Sequence, residues 1–251
     1  MMLLGCEDKQ LETYKGFTLD NVYHSKKNGD IHYNLYIPKS YDGHKAYALF
    51  MTLPGYQGLY FQGVGENIKT EQFGFTSQKY NQNMIIVAPQ LEGWGEKSAE
   101  QTIDLTEYFL SHYNIDKRRV YADGYSGGGE TMSLVLGKRA DLFAGYLHAS
   151  TKWDGSYDSV VENKTPVYIA IGKDDEYYGS KQAIDTYNAI KKLYLDKGTT
   201  NHEIDKLLVL DVKKSDYFTS HGMDNQHGSG ANLFANDKTI MSWLFSKRRL
   251  K

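Results

Sequence analysis

The sequence predicts an α/β chain, with a mostly parallel, twisted sheet covered by helices on both faces. Three observations carry that prediction. Strand-like and helix-like segments alternate along the chain. Several strand segments are apolar throughout, as strands buried on both faces must be. No repeat, low-complexity tract or Pro/Gly/Ser-rich linker interrupts the pattern.

The elements follow in order. "FTLDNVYHSKKNGDIHYNLYIP" reads as a hairpin that alternates up to Ser25, turns near Asn28-Gly29 and alternates again from Ile31 to Ile37. "YALFMTL", Tyr47 to Leu53, is a buried strand ended by Pro54-Gly55, and "NMIIVAP" is another. "AEQTIDLTEYFLSHY" places Ile103, Leu105, Tyr108, Phe109 and Tyr113 at helical spacing. "RRVYADGY" is the next strand and "ETMSLVLGKRA" the helix after it. "FAGYLHAS" and "TPVYIAIG" are strands, and "SKQAIDTYNAIKKLYLDKG" is a helix closed by Gly198. "DKLLVLDVK" is expected as the last strand and "DKTIMSWLFSKRR" as the last helix, with Asp237 as its N-cap. Only residues 151–164 separate the "YLHAS" and "TPVYIAIG" strands, too few for a helical lid.

Composition excludes some classes. The chain has 251 residues, 40% hydrophobic and 24% charged, as an ordinary globular protein does. A net charge of -2 gives no electrostatic reason to expect a nucleic-acid partner. Lys247, Arg248, Arg249 and Lys251 read as a solvated helix terminus. The single cysteine excludes an internal disulfide framework and a cysteine-based zinc site, and no H-x-H or H-x-x-x-H pair supports a histidine metal site. No run approaches the ~20 apolar residues of a transmembrane helix. Leu3-Leu4-Gly5-Cys6 resembles the lipobox of bacterial lipoproteins, which implies a lipid on Cys6 and an extracytoplasmic location. The apolar stub before it has no basic region ahead, so it is not a complete signal peptide, and the match is either a truncated signal or accidental. Without that anchor the chain is expected in the cytoplasm.

Chemistry concentrates in "VYADGYSGGGE". Gly124-Tyr125-Ser126-Gly127-Gly128 satisfies G-x-S-x-G between an expected strand and an expected helix. A tight strand-to-helix turn lifts the Ser126 hydroxyl out of the sheet, and glycines on either side leave room for the turn. The N–H of Gly127 then starts a helix beside the place where an oxyanion forms. A glycine-rich anion loop is the poorer reading, because no Walker lysine follows and the G-x-G-x-x-G spacing is absent.

On these residues the chain resembles the α/β-hydrolase superfamily over almost its whole length. It is similar to the esterase and depolymerase branch, which includes feruloyl and acetyl xylan esterases, and to the catalytic domains of prolyl-oligopeptidase-type peptidases. The resemblance implies an α/β-hydrolase fold without a large lid domain, over residues 16–251. Residues 1–15 then form an N-terminal tether or signal remnant. It also implies a Ser–Asp–His triad in that chain order, the acid after a late strand and the base before the last helix. In "IAIGKDDEYYG" a G-x-x-D pattern selects Asp175, with Asp174 and Glu176 as neighbours able to displace it. Asp154 reads as a turn residue. His221 and His227 both satisfy the position of the base; His227 is favoured, being nearer the closing helix and followed by Gly228-Ser229-Gly230. The second oxyanion donor is expected from Leu53-Pro54-Gly55-Tyr56, at the N–H of Tyr56, where many esterases have H-G-G instead.

Tyrosine is abundant, at 21 residues, and aromatics gather after strand carboxyl ends, where open α/β sheets bind ligands. Trp94, Trp153, Tyr177 and Tyr178 are therefore expected to bind substrate, with Tyr56, Tyr60, Phe61, Tyr217 and Phe218 nearby. A polar-aromatic cleft suits a small-molecule or polysaccharide-linked ester, with an acetyl or hydroxycinnamoyl acyl group, hydrolysed without metal or organic cofactor. A serine peptidase is the alternative, and a non-catalytic binding module on the same scaffold is a third reading. Abundance of tyrosine for unrelated reasons stands beside the substrate reading.

Overall fold

The computed structural model describes residues 11–249; Cys6, and with it the expected lipid anchor, lies outside the described residues. The strands are β1 (Thr13–Tyr14), β2 (Phe17–Ser25), β3 (Gly29–Tyr36), β4 (Tyr47–Leu53), β5 (Met84–Pro89), β6 (Ile115–Tyr125), β7 (Gly145–Ala149), β8 (Val167–Gly172) and β9 (Leu208–Lys213). They form one sheet in the order β1-β2-β3-β5-β4-β6-β7-β8-β9. Pairing is antiparallel from β1 to β5 and parallel from there onwards. β1 falls within the first fifteen residues, so the sheet begins at Thr13.

The helices are α1 (Glu66–Thr70), α2 (Phe73–Thr76), α3 (Glu96–His112), α4 (Gly127–Arg139), α5 (Asp158–Glu162), α6 (Lys181–Asp196), α7 (Asn201–Leu207), α8 (Ser215–Thr219), α9 (Gln226–Asn236) and α10 (Lys238–Ser246). Strand alternation splits the core in two. Leu49, Met51 and Leu53 of β4 pack with Phe109, Met132, Val135 and Ile190 from α3, α4 and α6. Ala48 and Phe50 point the other way, towards Phe73, Phe234, Ile240 and Leu244 from α2, α9 and α10. Each such buried leucine, isoleucine, valine, methionine or phenylalanine contributes roughly 1.5–3 kcal/mol, so both layers hold the central strands in place.

The connection from β4 passes to β5 on one side, and β6 returns to the other side of β4. Such a reversal of strand order leaves a crevice at the carboxyl ends of the strands. Tyr56 follows β4 and Ser126 follows β6, so the order of pairing alone brings them to one crevice.

Two expectations change. Asp205–Leu207, expected to begin the last strand, instead close α7, because Thr200 and Glu203 form a capping box that starts a helix there. The stretch between the last strand and the last helix, to which the sequence pattern assigned no element, contains α8 and α9.

Asp123 of β6 is fully buried, opposite Thr52 of the neighbouring strand β4. Burial pushes its pKa well above the carboxylate range. An acid whose folded pKa is raised binds its proton more tightly folded than unfolded, so stability falls as pH rises above the unfolded value near ~3.9. Asp123→Asn removes that loss. Its thermal midpoint relative to wild type is expected to rise between about pH 5 and about pH 8; parallel curves would contradict the buried neutral acid.

Candidate active site

Ser126 occupies the bend between β6 and α4 with φ 51° and ψ -129°, a backbone region that residues with side chains rarely adopt. Its N–H donates to the Ala149 carbonyl (3.1 Å), and its carbonyl accepts from the Thr151 hydroxyl (2.6 Å). The glycines around it have a steric purpose. A Cβ on Gly124 would lie 2.7 Å from the Gly128 carbonyl, and one on Gly128 would lie 2.5 Å from the Leu53 and Pro54 carbonyls. Helix and β4 loop thus approach at backbone distance.

The Ser126 Oγ lies 3.1 Å from His227 Nε2. The opposite nitrogen, His227 Nδ1, lies 3.1 and 3.0 Å from the two Asp175 carboxylate oxygens. Asp175 is buried, and burial alone would raise its pKa. The hydrogen bonds from His227 and from the Tyr178 and Tyr177 N–H groups outweigh that, so its pKa falls below the ordinary carboxylate value. A carboxylate facing one imidazole nitrogen fixes the tautomer that presents a lone pair to the serine at the other. Ring packing fixes the plane: Tyr125 and Tyr177 lie nearly parallel to the imidazole, at 5.5 and 5.3 Å. The Tyr125 hydroxyl donates to the His227 carbonyl (2.7 Å).

Three adjacent acids take three different partners. Asp174 accepts from the Ser215 hydroxyl (2.8 Å), Asp175 faces His227, and Glu176 accepts from the Gln226 and His227 N–H groups (2.9 and 2.8 Å). The last pair satisfies the free amides at the start of α9, where Asn225 also caps Gly228. Asp154 pairs with Lys152 (3.1 Å). His221 stays in the exposed turn after α8, with Nδ1 2.7 Å from the Tyr217 carbonyl.

A cleft of about 960 Å³ opens over Ser126. Tyr56, Gly127, Trp94, Tyr177 and Tyr178, named from the sequence, line it. Gly127 and Tyr56 each begin a helical turn, so their N–H groups precede any intrahelical acceptor. The Trp94 indole packs directly on Gly127, leaving no room for a side chain.

Trp153 is a correction. It is buried, with ring contacts to Tyr146, His148 and Tyr157, and does not line the cleft. Ser133 Oγ accepts from the Asp154 and Gly155 N–H groups, which draws this segment against α4 and turns the indole inward. Phe218 is likewise core, and Tyr217 is bonded to Asp237.

Other lining residues carried no expectation. The Tyr178 hydroxyl donates to Glu130 (2.6 Å), and Lys152 lies 3.9 Å from the same carboxylate oxygen. Burial and Glu130 push the Tyr178 pKa upward, so its hydroxyl keeps its proton and donates. Glu130 lies one helical turn beyond Ser126, a spacing visible in the sequence. Glu71 and Lys152 had no comparable signal.

The model of the prolyl oligopeptidase family matches residues 90–202, less than half of the chain. A search of curated sequences finds no match. Among solved structures, a thermostable esterase is 21% identical with a TM-score of 0.72, covering 93% of this chain and 63% of that one. A feruloyl esterase module from Clostridium thermocellum, complexed with sinapinate, is 14% identical with a TM-score of 0.65, covering 92% and 89%. Oligopeptidase B from Leishmania major is 12% identical with a TM-score of 0.62, covering 92% and 36%. The chain thus spans less than two thirds of the esterase and about a third of the oligopeptidase. It has the α/β-hydrolase fold.

The Glu176 clamp predicts a stability effect. Glu176→Ala leaves two amides of α9 to water and is expected to cost about 1 kcal/mol, read as a lower urea midpoint. Glu176→Gln should lose less, and an unchanged midpoint in both variants would contradict the clamp.

Proposed function

We propose that this protein is a serine hydrolase that cleaves carboxylic esters through an acyl-enzyme. The observation that carries the reading is the hydrogen-bonded row Ser126–His227–Asp175, whose serine and histidine line an open cleft with the aspartate buried behind them. Ser126 Oγ attacks the ester carbonyl carbon while His227 Nε2 takes its proton. The Gly127 and Tyr56 N–H groups receive the tetrahedral oxyanion. Collapse breaks the C–O bond to the alcohol, and His227 returns the proton to the departing oxygen. Water then repeats the sequence on the acyl-enzyme, releasing the acid and free Ser126. Asp175 stays ionised throughout and stabilises the imidazolium that forms between the two steps.

The walls support a flat or small acyl group carried on a hydroxylated alcohol. Tyr56, Trp94, Tyr177 and Tyr178 offer ring faces for stacking, and Gln57, Thr70 and Gln182 offer hydrogen bonds among them. A hydroxycinnamoyl or acetyl ester on a carbohydrate meets both requirements. The match to the prolyl oligopeptidase family favours a second reading, cleavage of a peptide bond. Against its aminopeptidase form, the Glu130 carboxylate in the cleft is already engaged by Tyr178 and Lys152, so it is a poor receiver for a peptide ammonium group.

Turnover of p-nitrophenyl acetate, methyl ferulate and an aminoacyl anilide tests the reading. Wild type is expected to cleave the esters, and Ser126→Ala to lose that turnover. Asp175→Asn is expected to lower kcat by about 10⁴-fold with little change in stability. Undiminished hydrolysis by Ser126→Ala would end the assignment, and anilide cleavage without ester cleavage would favour the peptidase.

A further inference from the structure

We propose that Glu71 is a positioning residue for the oxyanion site, its carboxyl holding the loop after β4 so that the Tyr56 N–H faces the reacting carbonyl oxygen. The inference rests on the ester-hydrolase reading and concerns a residue that the triad chemistry leaves unused.

The geometry is specific. Glu71 lies between α1 and α2, is 6% exposed, and borders the cleft. Its Oε1 accepts from the Gly55 N–H at 2.6 Å, the amide immediately before Tyr56. Gly55 is constrained by close packing as well, because a Cβ there would lie 2.8 Å from the Tyr125 ring and 3.2 Å from Glu71 Oε1. The loop is thus bonded to a carboxyl oxygen and packed on the residue that precedes Ser126. One residue further, Tyr56 lines the same cleft as Ser126 and Gly127.

The segment that supplies Glu71 is itself fastened to the helix of the base. Asn232 of α9 accepts from the Gln72 N–H (3.0 Å) and donates to the Thr70 carbonyl (3.2 Å). His227 stands on the first turn of that helix. Glu71 therefore ties the oxyanion loop to the element that carries the imidazole, so the groups that bind the oxyanion and move the proton share one support.

A carboxyl is a costly group to bury, and simple filling of space would be served better by an apolar side chain. What it supplies here is an acceptor for an otherwise unpaired buried amide. Burial drives its pKa well above the carboxylate range, against the Gly55 N–H and with Asp123 adding to the rise. The neutral acid keeps its carbonyl oxygen as acceptor, and a glutamine side chain can reproduce that bond.

Three variants test the proposal: Glu71→Gln keeps an acceptor, Glu71→Ala removes it, and Glu71→Met removes it while keeping the volume. With p-nitrophenyl acetate, Glu71→Met and Glu71→Ala are expected to lower kcat by about tenfold to a hundredfold, with KM within about twofold. Both should weaken inhibition by phenylboronic acid in proportion, because its tetrahedral adduct uses the same N–H groups. Glu71→Gln should retain both properties to within a few-fold. If Glu71→Ala does not fold, Glu71→Met carries the comparison, with a thermal melt showing it folded at the assay temperature. Wild-type kcat in Glu71→Met, or a loss in Glu71→Gln as large as in Glu71→Met, would overturn the proposal. Ser126→Ala in parallel separates the two failures. If it is inactive while Glu71→Met is fully active, only the Glu71 role falls; if it remains active, the serine reading falls and takes the Glu71 role with it.

Discussion

The strained backbone of Ser126 is the constraint on which the rest of the site depends. A side-chain-bearing residue at φ 51°, ψ -129° costs roughly 1–3 kcal/mol, which the surroundings must supply. They do so from both sides of the bend. β6 is hydrogen-bonded between β4 and β7, and the Ser126 N–H and carbonyl are both occupied by neighbouring chain. Any wider turn would sink the hydroxyl back towards the sheet and away from His227. The glycines at 124, 128 and 129 follow from the same demand, because a Cβ at each would run into backbone or the Thr151 side chain.

The nucleophile proposed here requires a base fixed equally well, and His227, proposed for that part, is held through its main chain as much as through its ring. Asp175 meets the imidazole, Glu176 holds the amides of the helix that carries it, and Tyr125 holds its carbonyl. Tyr125 also presses on Gly55, so the residue before Ser126 touches both the His227 ring and the loop that carries Tyr56. Preorganisation of this kind lowers the reorganisation needed when charge develops, which is where most catalytic advantage in acyl transfer arises.

Much of this was legible in the sequence. The apolar runs of β4, β5 and β8 and the strand–serine–helix punctuation are local patterns, so they survive without tertiary information. Choosing Asp175 from three consecutive acids was legible only through the G-x-x-D resemblance, since each acid is equally polar on its own. α9 was not legible. Gly228, Gly230 and two asparagines in "QHGSGANLFAN" carry weak helix propensity, and the helix exists because Ala231, Phe234 and Ala235 are buried and its first amides are capped from Asn225 and Glu176. Trp153 misled for a similar reason: its position after a strand end suggested the cleft, but Ser133, twenty residues earlier in the chain, decides which way it turns. Glu71 gave no signal because its partner amide lies sixteen residues away across a loop.

The central claim is that one oxygen, Ser126 Oγ, becomes covalently acylated. Acid quenching of the wild-type protein during turnover of p-nitrophenyl acetate, followed by peptide mass mapping, measures this directly. An acetyl mass on the peptide containing Ser126, lost again as the substrate is exhausted, is the expected result. Steady turnover with the acetyl group on another residue, or on none, would contradict it.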